Sequence, residues 1–223
     1  DSDIEYEGAH LALEDAEKTE ITFNGEVVIP EICGYFTDKK VERIKLPKIL
    51  KGTNVLIVKL PLGERTNTEN MFILGDFGVS VAGRNANITQ KPESISFGSI
   101  TTQGFPFYGG NITYKFKAKA ENGSLTITAN QYRGALMSVL VDGKEAGNII
   151  YPPYTLKIGN LQDGEHEIGI KVYLHRYNCF GPVHLHNIDH KWHGPDAWRT
   201  IGDEWGYEYC LRPTGLLTAP RVK

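Results

Sequence analysis

Residues 11–62 and 125–174 follow one plan, and this internal repeat limits the possible folds more than any other feature of the chain. Each copy opens with an alternating strand, then a short strand that closes on a tight turn, Asn24-Gly25 in one and Asp142-Gly143 in the other. Later, Lys51-Gly52 or Asp163-Gly164 turns into a second alternating segment, 54–60 or 165–173. Asn-Gly and Asp-Gly between apolar runs are the strongest short-range hairpin signals, because both turn residues must accept positive φ. Asn24 and Gly52 are 28 positions apart, Asp142 and Gly164 only 22. The insertions therefore sit in the connections. A repeat of this kind predicts two similar β-domains rather than one enzyme core.

The 223 residues accommodate two domains of roughly 100 residues, each able to bury its own core. An apolar fraction of 40% with 10% aromatics is ordinary for a folded chain. A net charge of −3 and a pI near 6.2 leave no basic footprint for nucleic acid. No stretch reaches the ~18 apolar residues of a membrane-spanning helix, and no charged-then-apolar leader opens the chain. Neither nucleic acid nor membrane is expected as a partner. The start at Asp1, without Met, reads as an excised or mature piece of something longer. Cys33, Cys179 and Cys210 have no metal spacing. A Cys179–Cys210 disulfide and buried free thiols are both compatible with their positions.

Helical periodicity is confined to one candidate, residues 39–50, which Pro47 interrupts. Alternation dominates elsewhere, over residues 20–28, 54–60, 71–81, 111–119, 124–129, 136–141 and 165–173. Strands of this kind, separated by Gly, Asn and Asp, read as antiparallel sheets with one wet face. The expected fold is all-β, two tandem antiparallel β-sandwiches of jelly-roll type. The first should cover 1–92 and the second 96–223, with the boundary near residues 90–98, where QKPES breaks the pattern. Copy two has a long lead-in from Ser94; copy one has only DSDIEYEG. The first domain is therefore expected to be truncated at its opening strand or to take that strand from upstream.

Gly104–Gly110 (GFPFYGG), Val141-Asp142-Gly143-Lys144, Tyr151-Pro152-Pro153-Tyr154 and the segment 161–170 (LQDGEHEIGI) occur in that order. In this they resemble the galactose-binding-like jelly-roll domains appended to large bacterial glycoside hydrolases, the family 2 sugar-binding type. The tail 207–222 looks like that family's closing strand. Copy one matches more loosely, through 11–14, 23–25, 51–58 and 74–79. The resemblance covers most of the chain and rests on turns and strand edges. It implies an accessory β-sandwich of a carbohydrate-active enzyme, with glycan and the catalytic domain of the same parent chain as partners. It supplies no catalytic residues. A secreted, periplasmic or cell-surface location is favoured, with polysaccharide degradation as the setting.

The densest concentration of functional side chains is 178–209, with Trp192, Trp198, Trp205 and the histidines His184, His186, His190 and His193. A connection this long in a compact domain is usually functional or disordered, and this one is too aromatic for disorder. One reading stacks indole and phenol rings on sugar faces while His, Asp and Arg hydrogen-bond hydroxyls. The expected contacts are Trp192, Trp198, His184, His186, Asp189 and Arg199, with Trp205 buried beside the closing strand. A second reading has His184 and His186, with Asp189, His190 or His193, bind zinc, although the spacing fits no defined motif. In a third, the tryptophans plug the domain's own core.

Phe105, Phe107, Tyr108, Tyr151 and Tyr154, stiffened by Pro106, Pro152 and Pro153, suit packing at a sheet edge or a binding rim, with packing favoured. Glycoside hydrolysis needs a carboxylate pair at a defined separation. Glu14-Asp15 and Asp203-Glu204 are adjacent in sequence and would point to opposite faces of a strand, and Asp76 stands alone. The chain is therefore not expected to be an enzyme by itself. The fold class can hold a structural Ca²⁺, but no ligand spacing here matches a defined site. Two alternatives to glycan binding stand: spacer domains packing on a catalytic barrel, or a small glycosidase with an acid from each domain.

Overall fold

Asn24 and Gly25 stand at φ 51° and 86°, and Asp142 and Gly143 at 49° and 79°. Both positions are positive, as a two-residue hairpin matched to strand twist requires. The turns close Phe23 on Glu26 and Val141 on Lys144. The computed structural model describes residues 1–64, 66, 70–187 and 192–223, with Asp196 by its backbone alone. The chain is all-β, 43% strand and 6% helix, in several antiparallel sheets. It divides into two compact units, Asp1–Pro92 and Glu93–Lys223.

The first unit contains β1 (His10–Glu14), β2 (Glu20–Phe23), β3 (Glu26–Val28), β4 (Ile32–Phe36) and β5 (Asp38–Lys45). It continues with β6 (Leu56–Lys59), β7 (Phe72–Leu74), β8 (Gly78–Ala82) and β9 (Asn85–Thr89). Its sheets run β4-β5-β1-β7, β3-β2-β6 and β8-β9. Leu11, Leu13 and Ile44 meet Ile21, Phe23 and Val28 in one buried cluster. The expected helix over 39–50 is instead a strand up to Lys45 and irregular beyond it: β5 pairs with β1 from His10↔Lys45 to Glu14↔Val41. The run of Lys, Glu and Arg favours helix locally, but β1 is buried along Leu11–Leu13 and needs a backbone partner on each side. Pro47 lies past the strand's end and costs no ladder bond. The segment 71–81 is interrupted rather than continuous, because the Phe77 ring packs edge-on against Tyr6 at 5.2 Å. The Asp76 N–H also donates to Tyr6 Oη at 2.6 Å.

The second unit contains β10 (Asn111–Ala120), β11 (Leu125–Thr128), β12 (Tyr132–Arg133), β13 (Leu136–Val141) and β14 (Lys144–Ile149). It adds β15 (Thr155–Ile158), β16 (Gly164–Tyr173), β17 (Gly215–Leu216) and β18 (Arg221–Val222). The sheets run β10-β16-β13-β14, β15-β11-β18 and β12-β17. Met137, Val139, Ile168 and Ile170 from the first share one core with Leu125, Ile127 and Ile158 from the second. Fully burying side chains of this size contributes about 1.5–3 kcal/mol each.

The repeat is realised as topology. In each unit the hairpin's first strand (β2, β13) lies between its mate (β3, β14) and the strand that follows the second turn (β6, β16). The junction is built alike in both. Asn24 N–H donates to the Val55 carbonyl at 2.8 Å, and Val55 N–H returns to Asn24 Oδ1 at 2.7 Å. Asp142 N–H donates to the Glu167 carbonyl at 2.8 Å, and Glu167 N–H returns to Asp142 Oδ1 at 3.0 Å.

Candidate functional site

The long connection between β16 and β17 is clamped at its base by a buried asparagine. Asn178, in the short helix α1 (Tyr177–Phe180), donates from Nδ2 to the Arg212 carbonyl at 2.8 Å and accepts from Arg212 N–H at 2.9 Å. Further out the chain doubles back on itself. Cys210 N–H donates to the Val183 carbonyl at 2.6 Å, Gly206 N–H to His184 at 3.1 Å and His186 N–H to Glu204 at 2.7 Å. Leu185 bridges Trp205 across this ribbon and is buried.

The two histidines converge on Glu208. His184 Nδ1 lies 3.3 Å from the Glu208 carbonyl, and its ring packs 4.7 Å from Tyr209. His186 Nε2 lies 3.8 Å from a Glu208 carboxylate oxygen. The His186 ring rests directly over Gly206, where a Cβ would collide with it. Trp192 is 71% exposed, and Trp198, ending the 3₁₀ turn Pro195–Trp198, is 43% exposed. Arg199 is also exposed. Asp189 and His190 lie outside the described residues. Trp205 is half-buried, packs on Tyr207 at 4.6 Å and bridges Leu185.

Among the described residues no group of three or more His, Cys, Asp or Glu side chains is placed to hold a metal ion. His193 is engaged elsewhere. The Arg212 guanidinium stands 3.8 Å over the Tyr177 ring, and its Nη2 lies 3.2 Å from His193 Nε2. A guanidinium can only donate, so that nitrogen accepts. Cys33, Cys179 and Cys210 are free thiols, and burial pushes the Cys179 thiol up to about 11.

The second aromatic group divides. Phe105 and Tyr154 pack against the core of the second unit, and Tyr154 meets Tyr132 edge-on at 5.8 Å. Phe107 meets Tyr209 at 5.2 Å, while Tyr108 and Tyr151 are exposed. Of the carboxylates, Asp15 pairs with Lys18 at 3.1 Å and Asp76 with Lys91. Glu204 accepts from Asn187 Nδ2 at 2.7 Å, and Asp203 is exposed.

One feature was not foreseen from the sequence. The outer face of β15-β11-β18 lines a cleft of about 700 Å³. Thr126 and Thr128 form its floor, Pro153 and Tyr154 one wall, and Arg221 and Lys223 the other. The alternation of Leu125–Thr128 announces an outward threonine pair. Nothing in the sequence places that pair beside Arg221.

No family model matches the chain, and no curated protein matches it. Among solved structures it is similar to a rhamnosidase from Novosphingobium sp. PP1Y, at 17% identity and a TM-score of 0.40, over 97% of this chain and 22% of that one. The chain thus spans well under two thirds of that neighbour's length.

Proposed function

We propose that the chain is a non-catalytic, carbohydrate-binding accessory part of a larger bacterial glycoside hydrolase. Its two units are read as galactose-binding-like β-sandwiches, which the shared core between β10-β16-β13-β14 and β15-β11-β18 supports in the second unit. Glycan is contacted by Trp192, Trp198, His184, His186, Asp189 and Arg199. The observation that carries this reading is the exposure of Trp192 and Trp198 on a connection whose base and ribbon are fixed by backbone hydrogen bonds. Exposed rings beside hydrogen-bonding side chains suit sugar, whose faces are apolar and whose rim is hydroxylated. Affinity should be weak, because an open rim buries few ligand atoms. A glycan array of plant and host polysaccharides tests the reading, and silence across it would overturn it. An aryl-glycoside panel tests the non-catalytic part: turnover abolished by Asp203→Asn or Glu204→Gln would end it.

A second reading, spacer domains seated on another part of the parent chain, is supported by the outer face of β3-β2-β6. There Val27, Thr22 and Ile57 form one cross-strand row. Val27 is 79% exposed.

A further inference from the structure

The two outer faces of the second unit carry charge differently. On β10 the lysines are matched with carboxylates of β16, Lys115 with Glu167 at 3.1 Å and Lys117 with Glu165 at 2.8 Å, while Lys171 of β16 lies 4.8 Å over the Tyr173 ring. Lys119 lies 3.8 Å from Glu121. On β15-β11-β18 the pattern is opposite. The register sets Lys157 opposite Thr126, and Thr128 between Thr155 and Arg221. Lys223 and Thr126 exchange both backbone hydrogen bonds, at 2.7 and 3.0 Å, which extends the ladder by one residue. Two rows result, Lys157–Thr126–Lys223 and Thr155–Thr128–Arg221, while Leu125, Ile127, Leu156, Ile158 and Val222 face the core. Among the described residues, no Asp or Glu side chain forms a salt bridge with Lys157, Arg221 or Lys223, and none lines the cleft.

We propose that this cleft is a second saccharide site, selective for a carboxylated sugar such as a uronate-containing oligosaccharide. Each part of the face suits such a ligand. Arg221 offers a planar fork to a carboxylate, and Lys223 and Lys157 add point charges along the same face. Thr128 and Thr155 share a 2.9 Å hydroxyl contact and the Thr155 hydroxyl donates to the Pro153 carbonyl at 3.3 Å, which leaves acceptor lone pairs on both for ring hydroxyls, with the Thr126 hydroxyl beside them. Pro153 and Tyr154 give the apolar wall that a sugar face needs, and Tyr154 is held in place by Tyr132. A cleft of about 700 Å³ falls within the range of about 300–1,000 Å³ that small-ligand sites occupy. A generic polyanion would be drawn by the charge alone. The hydroxyl rows and apolar wall favour a saccharide over nucleic acid. The site does not depend on Trp192 or Trp198, so it stands or falls apart from the loop.

Titration calorimetry with an oligogalacturonide, and with the neutral oligosaccharide made by reducing its carboxylates, tests the proposal. The acidic ligand should bind and the reduced one should not. Binding should weaken as salt rises. Arg221→Gln with Lys223→Gln should lower affinity by about tenfold or more, as expected when charge-assisted hydrogen bonds are lost. Lys115→Gln with Lys117→Gln should leave it unchanged. All these positions are solvent-exposed, and an unchanged melting midpoint certifies each variant as folded. Four results would overturn the site: no binding of the acidic ligand, equal binding of the reduced one, an equal loss in the Lys115/Lys117 variant, or equal affinity for single-stranded DNA of matched charge.

Discussion

His166 is held between two acceptors, its Nδ1 2.7 Å from Asp142 Oδ2 and its Nε2 2.8 Å from the Gln162 carbonyl. The Gln162 carbonyl and then the Asp142 carboxylate raise the imidazole above its ordinary value. The hydrogen bond from His166, and next that from the Glu167 N–H, lower Asp142. The two shifts set opposite limits. Stabilisation from His166 is complete below the ordinary histidine value of about 6.5 and is lost as pH rises through the raised folded value. Stabilisation from Asp142 is complete above the ordinary carboxylate value of about 3.9 and is lost as pH falls through the lowered one. The pair therefore supports the second unit most fully between about pH 4 and 6.5. An NMR titration should show His166 above the ordinary value, returning toward it in Asp142→Asn. An unshifted wild-type imidazole would refute the coupling.

Tyr114 Oη accepts the Leu216 N–H at 3.1 Å, and both residues are buried. Tyr114→Phe leaves that N–H without a partner in an apolar core, at a cost of about 1–3 kcal/mol. Chemical denaturation should show the loss with an unaltered slope. A change below about 0.5 kcal/mol would mean that the strand end shifts to find another acceptor.

Trp192→Ala and Trp198→Ala should leave the thermal midpoint in place, since surface changes fall within about ±0.5 kcal/mol. If the rings stack on glycan, the same variants lose binding. A core tryptophan truncated to alanine would instead cost about 3–5 kcal/mol. A collapsed midpoint would return this connection to a structural role.

Gly206→Ala tests whether His186 is positioned by the backbone beneath it. The new methyl would occupy the space of the imidazole, so the ring must turn away from Glu208. The His186 ring resonances should move while those of buried Leu185 and Ile170 stay put. An unmoved ring would show that the ribbon, rather than Gly206, sets its place.

Turns and alternating strands were legible because their causes are local. Asn24-Gly25 and Asp142-Gly143 declare positive φ, and Leu136–Val141 was bounded to the residue. Residues 39–50 misled because the partner that makes β5 a strand is β1, more than twenty positions upstream. The connection between β16 and β17 was visible as a density of rings and histidines. Its ribbon was not, because Leu185 and Trp205 meet across twenty residues, and the turn residues between them, Gly194-Pro195 and Gly202-Asp203, do not fix that pairing. The cleft was hidden for the same reason, since Thr126, Thr155 and Arg221 come from three separated strands.

The side chain of the first turn residue, Asn24 or Asp142, fixes where the third strand enters its sheet, whatever the length of chain between them. A one-residue slip would turn every apolar side chain of that strand outward, so this single contact carries much of the burden of alignment. Length variation between turn and strand is thereby uncoupled from the sheet. Evolution can lengthen, shorten or re-sequence those connections without re-solving the core, and the differing insertions of the two copies record that freedom.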